Sequence, residues 1–256
     1  MMKAFRPISR KLHMVIIILL FMILAQFSIV RAKSNRVDFQ IQEKTIVLDP
    51  GHGGYDKGAE GPDGTFEKSV SMEFAQVLAL ELKKAYNVIL TRTDDYYVDI
   101  LTRTAMANHQ NADMFISIHT GGSFLHQAKG MSLYYYDKSS KLALMSGKES
   151  LEESKNSNFD ELWSNIQIRH QHNSKILAER ILEDLKEKVG EKVDYSADIQ
   201  GAPLLVLEGA DMPAILIEIG YLTNPKEEKS LNDINVLTDI AEKIKKGIDD
   251  FFEESQ

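Results

Sequence analysis

The chain has 256 residues, of which 43% are hydrophobic and 27% charged, an ordinary balance for one substantial globular domain or at most two small ones. Its formal net charge of −8 argues against a nucleic-acid partner, because phosphate binding needs clustered Lys and Arg. It has no cysteine, which excludes disulfides, thiolate metal sites and cysteine nucleophiles, so any metal must be held by His, Asp or Glu.

The N-terminus stands apart from the rest. Lys3, Arg6, Arg10 and Lys11 precede an uncharged apolar run from Met14 to Val30, and Arg31 closes it. This is the pattern of an export signal, with Val30-Arg31-Ala32 as its cleavage site. At seventeen residues the run also approaches the length of a spanning helix, so residues 1–32 read as a signal peptide or an uncleaved membrane anchor. In both cases the basic flank stays in the cytoplasm and the remainder crosses, which places the protein in the periplasm or cell envelope. The membrane is then met only through this segment. Cleavage after Ala32 moves the net charge to −13. Residues 33–44 read as a polar linker.

Beyond the linker, short runs rich in β-branched or aromatic residues alternate with helical patterns. Ile46–Leu48, Val88–Thr91, Met114–Ile118, Met131–Tyr136, Leu204–Leu207 and Ala214–Ile219 are the expected strands. Val70, Phe74, Val77, Leu78 and Leu82 share one helical face, as do Val236, Ile240, Ile244, Ile248 and Phe251 near the C-terminus. Such alternation predicts an α/β fold with a single twisted, mostly parallel sheet flanked by helices on both faces. Residues 137–165 are polar and Ser-, Lys- and Glu-rich. They read as a surface excursion with a short helix, either a solvated loop or a lid.

Two strands end alike. "IVLDPGHGG" places His52 just past a strand end among glycines, and "FISIHTGG" does the same for His119. Ligands of open α/β sheets gather at the carboxyl ends of strands, so the two imidazoles fall on one rim. Taken alone, His52 would be read as a turn histidine; with His119 and with Glu67 ahead of the first strong helix, the three form the protein shell of a single zinc ion that keeps one position open. The separations of 15 and 52 residues match no single-helix zinc motif, so the fold must assemble the site. Glu218, within "PAILIEIGYLTNP", is a carboxylate on an apolar strand. It reads either as half of a salt bridge or as a general base with a raised pKa acting on water.

Taken in order, "IVLDPGHGG", Glu67-Lys68, "LTRTDD", "ADMFISIH" and "PAILIEIGYLTN" resemble the successive motifs of the zinc-dependent N-acetylmuramoyl-L-alanine amidases that cleave bacterial peptidoglycan. The likeness runs from about Thr45 to Phe252. It implies a catalytic domain over residues 45–253, His52, Glu67 and His119 as zinc ligands, and Glu218 as the catalytic glutamate. It also implies hydrolysis of the amide between the lactyl group of N-acetylmuramic acid and L-alanine. After the third ligand the family usually shows Ala-Asn, whereas this chain has Thr120-Gly121. Some members carry a plug helix, removed by an activator protein, in the interval where residues 137–165 lie.

The remaining candidates carry less chemistry. His170 and His172 straddle the start of a predicted helix and read as solvated. His126 is a candidate to line the cleft, and Arg92 and Arg103 are expected to pair with Asp94, Asp95 and Asp99. Two rival readings stand beside the amidase: a zinc peptidase or deacetylase acting on another cell-wall bond, and a catalytically silent wall-binding regulator.

Overall fold

A computed structural model describes residues 43–138, 158–186 and 196–254. The N-terminal signal or anchor, nearly all of the linker, and residues 139–157 of the polar excursion lie outside this description. No helix among the described residues is long and apolar enough to cross a membrane.

Six strands form one sheet in the order β2-β1-β3-β6-β4-β5. They are β1 (Thr45–Pro50), β2 (Asn87–Leu90), β3 (Met114–Gly121), β4 (Met131–Tyr136), β5 (Ala197–Ala202) and β6 (Ala214–Tyr221). Every neighbouring pair is parallel except β4 and β6, which run antiparallel. The central strands are buried along nearly their whole length, as strands covered on both faces must be.

The helices are α1 (Glu67–Leu82), α2 (Ile100–His109), α3 (Asn158–Lys186), α4 (Pro225–Leu231) and α5 (Ile234–Glu254). The period-two alternation of the strands sorts their side chains onto two cores. Ile46 and Leu48, Met114, Ile116 and Ile118, and Ile215, Ile217 and Ile219 face α1, α3 and α5. Val47, Phe115, Ala214 and Leu216 face the other way, toward α2 and a 3₁₀ turn at Leu205–Leu207. On α1, the spacing of Val70, Phe74, Leu78 and Leu82 puts all four on the buried stripe, each at most 1% exposed. Burial of each such side chain stabilises the fold by about 1.5–3 kcal/mol. Val77, expected on that face, is only half-buried beside it.

Five of the six expected strands are present and the sixth is displaced. Leu204–Leu207 is not a strand: Pro203 precedes it and Leu205–Leu207 turns as 3₁₀ helix, burying Val206 and Leu207 under the sheet. The sixth strand is β5, "ADIQGA", at the sheet edge. With one neighbour and no continuous buried face, it needs no apolar run.

Candidate metal centre

The site begins at the end of β1. Gly51 continues the sheet pairing, its N–H donating to the Ile118 carbonyl at 2.9 Å. His52 then turns out of the sheet with φ +60°, a left-handed conformation uncommon for a side-chain-bearing residue. Two buried arginines hold the backbone there. Arg92 donates to the carbonyls of Pro50 at 2.9 Å and Gly51 at 2.8 Å, and Arg103 to those of Pro50 and His52, both at 2.8 Å. Arg103 also forms a buried ion pair with Asp49 at 2.8 Å. Thr91 and Ser117 hydroxyls donate to the same carboxylate. Among the described residues the arginines form no ion pair with Asp94, Asp95 or Asp99; Arg92 reaches only the Asp94 carbonyl, at 3.2 Å. The buried carbonyls of the β1 turn need donors, while Asp99 caps α2 by accepting from the Leu101 N–H and Asp95 takes Lys68.

His119 is positioned differently, inside β3, with Glu218 as its register partner on β6. Its ring lies over Gly51, where a Cβ would come within 2.4 Å of Cε1; no other residue fits there. Glu67 opens α1, where a carboxylate is favoured by the helix dipole, and it is 4% exposed. Its Oε1 accepts from the Thr120 N–H at 2.9 Å and its Oε2 from the Ala59 N–H at 2.8 Å.

The fold thus brings His52, Glu67 and His119 together. His52 Nε2 is 3.1 Å from Glu67 Oε2, and His119 Nδ1 is 3.0 Å from Oε1. One donor atom from each of the three residues lies within 4.8 Å of the others. Burial by itself would raise the Glu67 carboxyl, but the hydrogen bonds and charges of His119 and His52 hold it well below the usual carboxylate range. Burial would lower His52, yet Glu67 and Asp56 together raise it.

A residue missed in the sequence completes the group. Asp56 Oδ2 lies 2.9 Å from His52 Nδ1. Burial would raise the Asp56 carboxyl, but the His52 hydrogen bond outweighs it and keeps Asp56 ionised. An ionised carboxylate can only accept, so Nδ1–H donates to Asp56, and Nε2, facing the equally ionised Glu67, carries a second proton unless a cation takes its place. The spacing "HGGYD" is the available signal: a carboxylate four residues after a histidine of the cluster.

The donor set fits a zinc ion. Two imidazole nitrogens facing one carboxylate need either a proton or a cation between them. A divalent cation would answer all three at once, with His52 oriented from behind in the manner common to metal-bound histidines.

Glu218 is half-buried rather than enclosed, and its Oε2 is 3.5 Å from the Tyr134 hydroxyl. Burial pushes its carboxyl up; His119 pulls the other way and the charge of Glu67 adds to the rise, with burial the largest influence. No cation pairs with it among the described residues, so the salt-bridge reading does not hold. His119 also lines a cleft of about 370 Å³, whose walls include His52, Asp56, Tyr97, Leu205 and Leu216.

Among the described residues the other histidines do not join the group. His126 is exposed and donates from Nδ1 to the Thr223 carbonyl at 2.8 Å. His170 and His172 lie within α3 rather than at its start; His172 is exposed, but His170 is half-buried and its Nδ1 has no hydrogen-bond partner among the described residues.

The model of the N-acetylmuramoyl-L-alanine amidase family called Amidase_3 matches residues 46–250, and the chain belongs to that family. It is 32% identical to the N-acetylmuramoyl-L-alanine amidase AmiC of Neisseria meningitidis over 218 residues, 79% of this chain and 51% of that one. It is 30% identical to AmiC of Escherichia coli over 81% of this chain and 52% of that one, so it spans about half the length of both. Among solved structures, the N-acetylmuramoyl-L-alanine amidase of Clostridium difficile 630 superposes with a TM-score of 0.63 at 27% identity, covering 84% of this chain and 99% of that one. The CwlD amidase of Clostridioides difficile, solved in complex with the GerS lipoprotein, gives 0.62 at 27% identity over 82% and 99%.

Proposed function

We propose that this protein is a zinc-dependent N-acetylmuramoyl-L-alanine amidase, hydrolysing the amide between the muramoyl lactyl group and the L-alanine of the peptidoglycan stem. The observation that carries the reading is the convergence of His52, Glu67 and His119 from two strand ends and a helix start, with Glu218 beside His119 in register. In this reading those three residues hold one zinc ion, and Glu218 is the proton carrier. Zinc held there supplies Lewis acidity that polarises the scissile carbonyl and makes water nucleophilic near neutral pH.

Glu218 takes a proton from the attacking water and delivers it to the departing amine of L-alanine. A carboxyl whose pKa is pushed up by burial is suited to both halves of that task, since it neither holds the proton too weakly nor too tightly. Asp56 keeps the His52 ring in one orientation and one tautomer throughout. The two arginines keep the β1 turn from relaxing.

Substrate contact requires export, which the basic and apolar pattern of residues 1–32 supports. CwlD occurs in complex with a lipoprotein, and by that likeness an activator protein belongs to the reading.

The test is zinc content together with peptidoglycan digestion by the purified protein, beside Glu218→Gln. One zinc per chain in both proteins, with stem peptides freed from glycan by wild type only, is the expected result. A peptidase or deacetylase would release different products, and a silent wall-binding protein would release none. Undiminished turnover by Glu218→Gln would remove that residue from the mechanism.

A further inference from the structure

Beside His52, two exposed tyrosines are held in a stack. The Tyr55 and Tyr97 ring centroids are 4.5 Å apart with an interplanar angle of 28°, although Tyr55 is 79% and Tyr97 40% exposed. Packing does not explain them, since a stack this open buries little apolar surface. Exposed aromatic surface at a cleft mouth is a mark of binding.

The backbone beneath the rings is built to keep them in place. Gly54 N–H donates to Asp95 Oδ1 at 2.7 Å, and Lys68 Nζ donates to the Gly54 carbonyl at 2.9 Å and to Asp95 Oδ2 at 2.6 Å. The turns at 53–56 and 94–97 approach so closely that a Cβ on Gly53 would sit 2.3 Å from the Tyr96 carbonyl oxygen. One on Gly54 would sit 2.8 Å from the Tyr97 nitrogen. Both glycines have positive φ. The stack is thus fixed before any ligand arrives, which lowers the entropic cost of binding.

We propose that the Tyr55–Tyr97 pair is a carbohydrate platform, on which the N-acetylated pyranose rings of a glycan strand stack beside the scissile bond. This rests on the amidase reading. There, Glu218 must lie next to the departing amine, so the peptide extends toward β6 and β4. The acyl half, which carries the sugar, then extends the opposite way, across His119 and His52 to the cleft wall that Tyr97 shares.

Charge selects the same ligand. Asp56 and Asp99 lie close enough for their charges to act on Tyr55, and the nearby cations are engaged. Lys68 is held by Asp95, Lys57 lies over the Phe66 ring at 4.4 Å, and the guanidinium groups of Arg92 and Arg103 are buried on backbone carbonyls. A carboxylate-bearing stem peptide is repelled by this fringe. A neutral sugar presents C–H faces to the rings and hydroxyl donors to the carboxylates.

The experiment titrates the purified full-length protein with a β-1,4-linked N-acetylglucosamine tetramer, which has no scissile amide, and follows heat of binding. The tetramer should bind wild type, and Tyr55→Ala should weaken it about tenfold, the size of one lost stacking contact. Tyr55→Phe should restore it, because the ring and not the hydroxyl does the stacking. Tyr55 is largely solvated, so its loss leaves the fold intact. A sugar-free N-acyl-L-alanyl stem peptide should bind wild type and Tyr55→Ala alike. No binding of the tetramer by wild type, equal binding by Tyr55→Ala, or loss of the peptide instead of the sugar each overturns the platform. Stem-peptide release measured in parallel separates the two ideas. Release with tyrosine-independent sugar binding overturns the platform alone, and tyrosine-dependent binding without release overturns the amidase reading alone.

Discussion

His52 just past β1 and His119 near the end of the neighbouring β3 share the same short text, an apolar run followed by His and glycines, yet they are held by different means. His52 has left the sheet. It needs a left-handed backbone, two guanidinium groups on three consecutive carbonyls, and Asp56 behind its ring. His119 remains inside β3, where ladder bonds and its register with Glu218 fix it, and it needs only the space that Gly51 leaves. A sheet position is rigid by construction, whereas a residue one step outside it must be made rigid by long-range contacts. Perturbations remote from the site should therefore act on the two histidines unequally.

The largest effect should come from Arg103→Leu. It leaves the Asp49 carboxylate buried with its charge partner gone, and breaking such a pair costs about 3–5 kcal/mol. It also frees the His52 and Pro50 carbonyls. A urea unfolding curve should show the loss, and metal affinity should fall with it in whatever fraction stays folded. A variant within about 0.5 kcal/mol of wild type would mean that the sheet alone positions both histidines.

Next in size is Asp56→Asn, which touches only the His52 side. The amide keeps an acceptor oxygen but loses the charge that fixes the His52 tautomer. Loss of such a carboxylate behind a metal-bound histidine costs about 10- to 100-fold in metal affinity. Zinc competition against a chromophoric chelator measures this, with little change expected in unfolding free energy because Asp56 is 40% exposed. Unchanged zinc affinity would show that the ring is oriented by its backbone alone.

The legibility of the sequence divides along the same line. Three buried strands, the two histidines at their ends and the amphipathic faces of α1 and α5 follow from periodicity, because burial imposes a pattern on consecutive residues. β5 leaves no such pattern, since an edge strand satisfies only one ladder and "ADIQGA" alternates weakly. The arginine clamp is invisible for another reason. Arg92 and Arg103 recognise backbone carbonyls, which every residue has, so nothing in the text of residues 50–52 announces the partner. The aspartates near the arginines in sequence were the natural but mistaken choice; the one that pairs, Asp49, is 54 positions from Arg103.

A smaller, pH-dependent effect is expected from Glu228, which is fully buried and holds the loop that leads into Glu67. Its carboxylate accepts from the Asp63 N–H at 2.8 Å and the Thr65 N–H at 3.1 Å. Burial alone would raise its pKa, but these donors outweigh burial and lower it. A group whose folded pKa is depressed adds stability above its unfolded value, and that stability fades as pH falls through the folded value. Glu228→Gln should cost about 1–3 kcal/mol at neutral pH. The gap to wild type should shrink once the pH drops below about 4.5, the ordinary value for a glutamate. A gap that stays constant down to pH 3 would mean the carboxylate charge plays no part in holding this loop.

The smallest effect has the opposite sign and lies beside His119. Thr120 is 4% exposed, its N–H serves Glu67, and its hydroxyl is buried without a hydrogen-bond partner among the described residues. Burying a hydroxyl unpaired costs about 1–3 kcal/mol, whereas a methyl group in its place loses nothing that the hydroxyl supplied. Thr120→Val keeps the branched shape suited to a strand and the N–H that Glu67 needs. It should raise stability by about 1 kcal/mol, a rise of roughly 2–4 °C in melting temperature for a domain of this size. Zinc affinity should be unchanged, because His119 is held by the ladder and not by its neighbour's side chain. If Thr120→Val melts lower or binds zinc less tightly, the hydroxyl is part of what positions the third ligand. The sheet-held histidine would then depend on local side chains as much as the one outside it.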